Sequence, residues 1–514
     1  MTKIVLSTLN ARYPHASLGL RCLRANLGEL RADSCLLEFV VGQKTEEMAE
    51  RILALSPRVL GLGVYIWNVE ESTRLVAQLK RLAPQLWIVL GGPEVSHEVD
   101  QQRICALADY VVTGWGDISF ARLLRDLLAG RPPANRIVVG EQPPLAALAL
   151  PYAEYTEEDI AKRYIYVEAS RGCPFKCEFC LSALDRSAWA FPLAAFLDEL
   201  ATLWARGARE FKFVDRTFNL KIDASLAIIE FFLQRIAATP DDLPYVHFEL
   251  IPDHLPERLK QAIARFPKGT LQFEIGIQTF DPEVQARIAR RQDNAKAETN
   301  LRWLKAHSQA HLHVDLIAGL PGENVTTFGQ GFDRLVGLAP HEIQFGILKR
   351  LRGAPIARHT EAYDLRFNPE PPYNILATAD IDFPSMQRLS RFARYWELLA
   401  NSGRYARSLQ LLLAGQPFQH FAEFGDWLYR HTAQTHAFAH ERMVHLVYDY
   451  LTVARGLPAA EVATALIADY RGCGGRSRLA FEATDSSLPP PRDTGKRSAT
   501  PSRQIRHLDA RNAS

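Results

Sequence analysis

Short apolar runs alternate with amphipathic segments twice along this chain, and that rhythm restricts it to an α/β fold built on parallel strands. In the first series, runs at 4–9, 35–40, 59–64, 87–90 and 110–112 are separated by helical stretches such as 18–30, 69–82 and 120–128. This pattern predicts a doubly wound, Rossmann-like domain over residues 1–135. Ligands of such sheets bind beyond the carboxyl ends of the strands. The special residues of this segment fall there: Asn10 after the first run, Tyr65 to Asn68 after the third, Gly91 and Gly92 after the fourth, and Gly114 and Gly116 after the fifth.

A Pro- and Ala-rich stretch, 136–162, reads as a linker. A second strand–helix series follows over 163–353, with strands expected at 164–169, 211–214, 246–250, 271–277, 312–317 and 343–348. Six such repeats predict a partial or complete α/β barrel, whose chemistry sits at the strand carboxyl ends. Helical patterns dominate 354–478, where Phe392, Trp396 and Leu399 at helix spacing read as core or as a substrate wall. Residues 479–514 are rich in Ser, Pro, Arg and Thr and read as a disordered tail.

Composition limits the partners. A net charge of +2 gives no electrostatic reason to expect a nucleic acid or an anionic membrane. No apolar run approaches the roughly 20 residues that span a bilayer. The opening Met1-Thr-Lys-Ile-Val-Leu leads into a strand without a signal-peptide pattern. Seven cysteines in 514 residues make no disulfide framework, which favours a cytoplasmic location.

Three of those cysteines crowd into one run, Ser170-Arg-Gly-Cys-Pro-Phe-Lys-Cys-Glu-Phe-Cys180. They follow the first strand of the second series directly. A disulfide would leave one thiol over. Zinc would pair Cys177 and Cys180 with His436 and His440, far along the chain. An iron–sulfur cluster held at three corners, Cys173, Cys177 and Cys180, leaves one iron open to a small molecule. Cys22, Cys35, Cys105 and Cys473 are isolated and read as packing or surface thiols.

The run matches Cys-x-x-x-Cys-x-aromatic-Cys, with Phe179 as the aromatic, and resembles the radical S-adenosylmethionine (SAM) superfamily. Similar segments follow in order: Phe213-Val-Asp-Arg-Thr-Phe-Asn219, Phe273-Glu-Ile-Gly-Ile-Gln-Thr-Phe-Asp281 and Asp315-Leu-Ile-Ala-Gly-Leu-Pro-Gly-Glu323. The resemblance implies a 4Fe–4S cluster whose open iron is chelated by SAM. It also implies reductive cleavage of SAM to a 5′-deoxyadenosyl radical that takes hydrogen from substrate.

By the same resemblance, Phe179, Asp215, Glu274, Gln278 and Arg291 are candidate SAM contacts. Asp215 could instead cap a helix, Glu274 and Gln278 could brace the interior, and Arg291 could be solvated beside Arg290. Asp315 and the turn Gly319–Gly322 could line the adenine side or simply form a tight turn.

A doubly wound domain ahead of such a barrel resembles the cobalamin-binding radical SAM class. Tyr65, Asn68, Gly91, Gly92, Gly114 and Gly116 are then candidate cobalamin contacts. The Asp-x-His-x-x-Gly motif of many cobalamin proteins is absent; Tyr13-Pro-His-Ala-Ser-Leu-Gly19 departs from it, and His15 is expected to serve loop packing. The function implied is methylation of an unactivated carbon or phosphorus in a small-molecule or peptide substrate, with flavodoxin or ferredoxin as electron donor. The alternatives are a radical cyclisation or oxidation without methyl transfer, and a non-catalytic iron–sulfur or cobalamin-binding protein.

Overall fold

The computed structural model describes residues 3–185, 187–482 and 501–510, arranged in two compact units. The first unit comprises residues 1–217 together with 349–358 and 368–374.

In that unit the chain runs β1 (Ile4–Asn10), α1 (Leu18–Ala25), β2 (Ser34–Val40), α2 (Thr45–Leu53), β3 (Val59–Gly63), α3 (Val69–Leu82), β4 (Trp87–Gly91), α4 (Arg103–Leu107), β5 (Tyr110–Thr113), α5 (Ser119–Leu128) and β6 (Ile137–Val139). The six strands form one parallel sheet in the order β2-β1-β3-β4-β5-β6. Every residue of β1 is buried, as a central strand covered on both faces requires. One face packs Val5, Leu60 and Ile88 against Met48, Leu75 and Leu79. The other packs Ile4, Leu6 and Val89 against Leu20, Phe120 and Leu124. Helix α3 shows why such a segment is helical. It buries Val69, Ser72, Leu75, Val76 and Leu79 at three- and four-residue spacing, with Glu70 and Glu71 in its first turn and Lys80 and Arg81 in its last. Strand order reverses between β1 and β3, and in open α/β sheets that switch point opens a crevice.

The expected linker 136–162 differs from a flexible connector. Its first residues form β6, and α6 (Glu157–Lys162) begins with a capping box between Thr156 and Asp159. A buried ion network then fastens α6 to the sheet. Arg21 Nη2 reaches Glu38 at 3.0 Å and Asp159 at 2.8 Å, and Arg163 Nη1 reaches the same carboxylates at 2.7 and 3.1 Å. The prolines that suggested a linker end segments here without freeing the chain between them.

Strand β7 (Ile165–Val167) leads into the ribbon β8 (Ser170–Arg171) and β9 (Trp189–Ala190), then α7 (Leu193–Ala205) and β10 (Glu210–Phe213), which pairs in parallel with β7.

The second unit holds α8 (Ile222–Ala238), β11 (Tyr245–Leu250), α9 (Glu257–Ile263), β12 (Leu271–Gln278), α10 (Pro282–Arg287), α11 (Asn294–His307), β13 (His311–Ala318), α12 (Val325–Gly337) and β14 (Glu342–Ile347). Strands β11 to β14 pair in sequence and in parallel. Strands β12 and β13 alternate along most of their length. Phe273, Ile275 and Ile277 of β12 are buried on one face, while Gln272, Glu274, Gly276 and Gln278 occupy the other. After β15 (Arg366–Phe367) and β16 (Ile375–Ala377) the unit continues as helices: α13 (Phe383–Leu399), α14 (Ala406–Leu413), α15 (Pro417–Thr432), α16 (His440–Asp449) and α17 (Ala459–Gly472). Phe392, Trp396 and Leu399 are core, at 2%, 4% and 1% exposure.

Two boundaries differ from expectation. Residues 349–353, expected to close the second strand–helix series, and 354–358 and 368–374, expected in the helical carboxyl-terminal region, group with the first unit: Arg350 and Arg352 hold Glu98 at 2.6 and 2.8 Å, and Tyr373 donates to Glu94 at 2.8 Å. The tail is not disordered where it is described. Leu479 is buried, and α18 (Ser502–Ala510) places Gln504 against the Tyr245 hydroxyl at 2.6 Å and Arg503 against Glu342 at 2.7 Å. Residues 483–500 and 511–514 lie outside the described residues.

Candidate cofactor site

The carboxyl ends of β3, β4 and β5 open onto a cleft of ≈ 340 Å³. Five of the six residues expected to meet cobalamin line it: Tyr65, Gly91, Gly92, Gly114 and Gly116. The glycines matter individually. A Cβ on Gly91 would meet only the Val112 carbonyl at 3.8 Å and one on Gly114 nothing within 4 Å, so larger residues would project into open space. Gly92 has φ +109°, and a Cβ there would come within 2.5 Å of the Val64 carbonyl oxygen.

Asn68 is a correction. It is 1% exposed, does not line the cleft, and donates its amide to Thr8 Oγ1 at 3.2 Å and the Leu9 carbonyl at 3.0 Å. An Asn at the end of a strand looks like a ligand contact in sequence; here it closes the switch point between β1 and β3. His15 behaves as expected for loop packing, with Nδ1 2.6 Å from the Tyr166 hydroxyl.

The polar part of the cleft's wall adds Asp117, next to Gly116, and three residues that sequence reasoning did not assign to it: Cys22, Glu168 and Arg171. Arg171 immediately precedes Gly172-Cys173. Its guanidinium donates to Asp117 at 2.9 Å and to Glu168 at 2.8 Å. Burial pushes the Cys22 thiol well up and raises Glu168 as well. The upstream Arg of the cysteine run was the available signal; its partners Asp117 and Cys22 are 54 and 149 residues away, beyond any local pattern.

Ribbon β8–β9 clamps the base of the cysteine loop through the pairs Ser170–Ala190 and Arg171–Trp189. Gly172, at φ +86°, is pinned: a Cβ would come within 2.4 Å of the Ser187 carbonyl oxygen and 2.7 Å of the Trp189 ring. Asp215 does not cap a helix. Its buried carboxylate accepts from Ala169 N at 3.0 Å and Ser170 Oγ at 2.6 Å, which braces the approach to the loop, and burial pushes it up to about 7.

All seven cysteines are free of disulfides, and Cys173, Cys177 and Cys180 are each partly exposed on one loop, as is Phe179. Burial pushes Cys173 up to about 11, with further contributions from Cys180 and Cys177. Among the described residues no three His, Cys, Asp or Glu side chains converge on a single metal ion. Zinc would gather its ligands within about 2.3 Å of one ion. A four-iron cluster instead takes its thiolates at separate corners. Three unoxidised thiols on a clamped, partly open loop suit such a group. His440, offered for zinc, packs between Tyr405 and Tyr470.

On the second unit's sheet, Glu274 lies opposite Glu249 in register, with His247 Nε2 3.2 Å from its carboxylate. Gln278 ends β12 at a register shift with φ +69°, a conformation non-glycine residues hold only when the surroundings enforce it. Arg291 is exposed, whereas its neighbour Arg290 donates to the Gly276 carbonyl and to Gln292. The basic side chain at the end of β12 is thus Arg290, one position earlier than expected. Asp315 is pushed well above the usual carboxylate range by burial and by Glu274 and Glu249, with Arg290 opposing. In the turn Gly319–Gly322, Arg287 donates to the Pro321 carbonyl at 2.7 Å, and the buried Glu323 just beyond accepts from Thr279 at 2.5 Å. No described helix is long and apolar enough to cross a membrane.

Comparison with known proteins agrees with this geometry. Residues 4–124 match the B12 binding domain, 167–335 the radical SAM superfamily, and 361–479 a protein family of unknown function, DUF4080. The chain is 25% identical over 337 residues to the 2-(S-pantetheinyl)-carbapenam-3-carboxylate methyltransferase of Streptantibioticus cattleyicolor, covering 59% of this chain and 48% of that protein. It is 24% identical over 364 residues to the cobalamin-dependent radical SAM methyltransferase TokK of Streptomyces tokunonensis, covering 64% and 52%. It therefore spans about half the length of these curated relatives.

Among solved structures, OxsB with aqua-cobalamin and S-adenosylmethionine bound superposes with a TM-score of 0.59 at 12% identity, covering 92% of this chain and 84% of that one. TsrM from Kitasatospora setae, with cobalamin and a [4Fe-4S] cluster, gives 0.57 at 18% identity, covering 72% and 78%. These likenesses establish a shared fold. The chain carries a B12 binding domain over residues 4–124 followed by a radical SAM domain over 167–335.

Proposed function

We propose that this protein is a cobalamin-dependent radical SAM enzyme that methylates an unactivated carbon or phosphorus of a small-molecule or peptide substrate. One observation carries the reading: Glu168 and Arg171, immediately ahead of Cys173, form a wall of the glycine-lined cleft. The loop suited to a cluster and the cleft suited to a corrin are thereby built from the same few residues. At ≈ 340 Å³ the cleft accommodates part of a cobalamin, such as its nucleotide tail.

Cys173, Cys177 and Cys180 would hold the cluster at three corners, leaving one iron for the amino and carboxylate groups of SAM. When bound, the cluster and cobalamin supply electron transfer and methyl-carrier chemistry that side chains lack. The protein's residues orient and exclude. Asp215 fixes the backbone at Ala169 and Ser170, and Gly172 locks the turn into the loop. Phe179 would border the SAM site. A flavodoxin or ferredoxin in the cytoplasm would supply electrons.

The relatives named above are methyltransferases, which favours methyl transfer over radical cyclisation or oxidation. Product analysis separates these outcomes. With SAM, reductant and substrate, S-adenosylhomocysteine is expected to accumulate alongside 5′-deoxyadenosine; 5′-deoxyadenosine alone would indicate radical chemistry without methylation.

A further inference from the structure

Side chains from three stretches distant in sequence meet in the wall of the glycine-lined cleft. Cys22 comes from α1, Asp117 from the loop after β5, Glu168 from the end of β7 and Arg171 from β8. Arg171 joins them. Nη1 donates to Asp117 Oδ2 at 2.9 Å, Nε to Glu168 Oε1 at 2.8 Å, and Nη2 to the Cys22 sulfur at 3.4 Å. The guanidinium also lies 5.2 Å from the Trp115 ring centroid and 5.4 Å from that of Phe191.

Asp117 is the member left incomplete. Its side chain is 7% exposed, yet Oδ1 has no hydrogen-bond partner. A buried carboxylate oxygen without a donor is costly, and natural proteins rarely leave one so unless something else satisfies it. Since Asp117 lines the cleft, an N–H or O–H of the cleft's occupant can supply that bond. Cobalamin carries carboxamide arms and a ribose hydroxyl of this kind.

The opposite end of the connection is stiff. Arg171 is two residues from Cys173, and the intervening Gly172 is packed against the Ser187 carbonyl and the Trp189 ring. Displacement of the Arg171 guanidinium therefore reaches the backbone of the cysteine loop instead of dissipating in a flexible turn.

We propose that Asp117 Oδ1 accepts a hydrogen bond from an amide or hydroxyl of the corrin ligand, and that Arg171 is a positioning residue that passes this contact to the cysteine loop, so that a filled cleft orders the loop. The inference rests on the cobalamin reading of the cleft. It differs from a static brace, which would hold the loop equally with the cleft empty or full.

Hydrogen–deuterium exchange on the full chain carrying its cluster, with and without hydroxocobalamin, tests it. In the wild type, hydroxocobalamin is expected to slow exchange over residues 170–181 by about fivefold or more. Arg171→Gln should still bind hydroxocobalamin but lose that protection, and Arg171→Lys, which keeps the charge without the fork, should retain only part of it. Asp117→Asn should weaken hydroxocobalamin binding by about tenfold, as loss of one charged acceptor implies. Iron per chain is read for each variant; if Arg171→Gln loses its iron, exchange in Arg171→Lys is the deciding readout. Full protection in the Arg171 variant so read, or unchanged affinity in Asp117→Asn, overturns the proposal. A wild-type chain that binds no hydroxocobalamin overturns the cobalamin reading itself, a result distinguishable from either.

Discussion

Cys177→Ala is expected to take the anaerobically reconstituted protein from about four irons per chain to background and to abolish SAM cleavage, because a four-iron cluster here has only three protein thiolates to begin with. Removing the middle one leaves two anchors on a loop whose remaining thiols, Cys173 and Cys180, are both partly exposed. No other cysteine offers itself in their place within the loop's own unit: Cys22 is buried against Glu168 and Arg171, Cys105 is buried at 4% exposure, and Cys35 sits on β2. Cys35→Ala should accordingly leave iron content unchanged. Iron and sulfide analysis on both variants checks the prediction, with melting temperature showing that each chain is folded.

The largest expected stability effect lies in the network beneath the cleft. Arg21 is 2% exposed at its side chain and bridges Glu38 and Asp159, while its guanidinium lies 4.6 Å from the Tyr155 ring centroid. Burial alone would push both carboxyl groups up, but the Arg21 charge beside them holds each below its usual range. Arg21→Met leaves two buried carboxylates to Arg163 and should destabilise the first unit by about 3 kcal/mol, the lower end for breaking a buried ion network. The pH dependence follows from the direction of the shifts. Carboxyls with depressed folded pKa values stabilise the protein above their unfolded values and lose that contribution as pH falls through the folded ones. The destabilisation caused by Arg21→Met should therefore be larger at pH 7 than at pH 4.5. Chemical denaturation at pH 7 and pH 4.5, followed by circular dichroism, measures both effects.

Much of this architecture was legible because apolar periodicity reports burial directly. Helix α3 begins and ends at the residues its pattern indicated, and the strand runs of both series fall where the structure has strands. The cysteine loop was legible because its chemistry is local, three thiols within eight residues. What escaped depended on contacts distant in sequence. Nothing near Arg350 and Arg352 indicates that Glu94 and Glu98 will hold them, so the grouping of residues 349–358 with the first unit was not legible. Asn68 looked like a ligand residue because it follows a strand, and only the fold shows its amide directed at Thr8 and Leu9. The choice between Arg290 and Arg291 turns on one residue of helix exit geometry, which periodicity does not resolve. Helix α18 follows a Ser- and Pro-rich stretch, and its attachment through Gln504 depends on Tyr245 and Gln272 at the far end of the sheet.

The central claim is that three cysteines hold a cluster with one iron open to SAM. Electron paramagnetic resonance of the dithionite-reduced, anaerobically reconstituted protein tests it most directly. Addition of SAM should shift the g values of the reduced cluster, as coordination at the open iron requires. A cluster signal that SAM leaves unchanged would contradict the account.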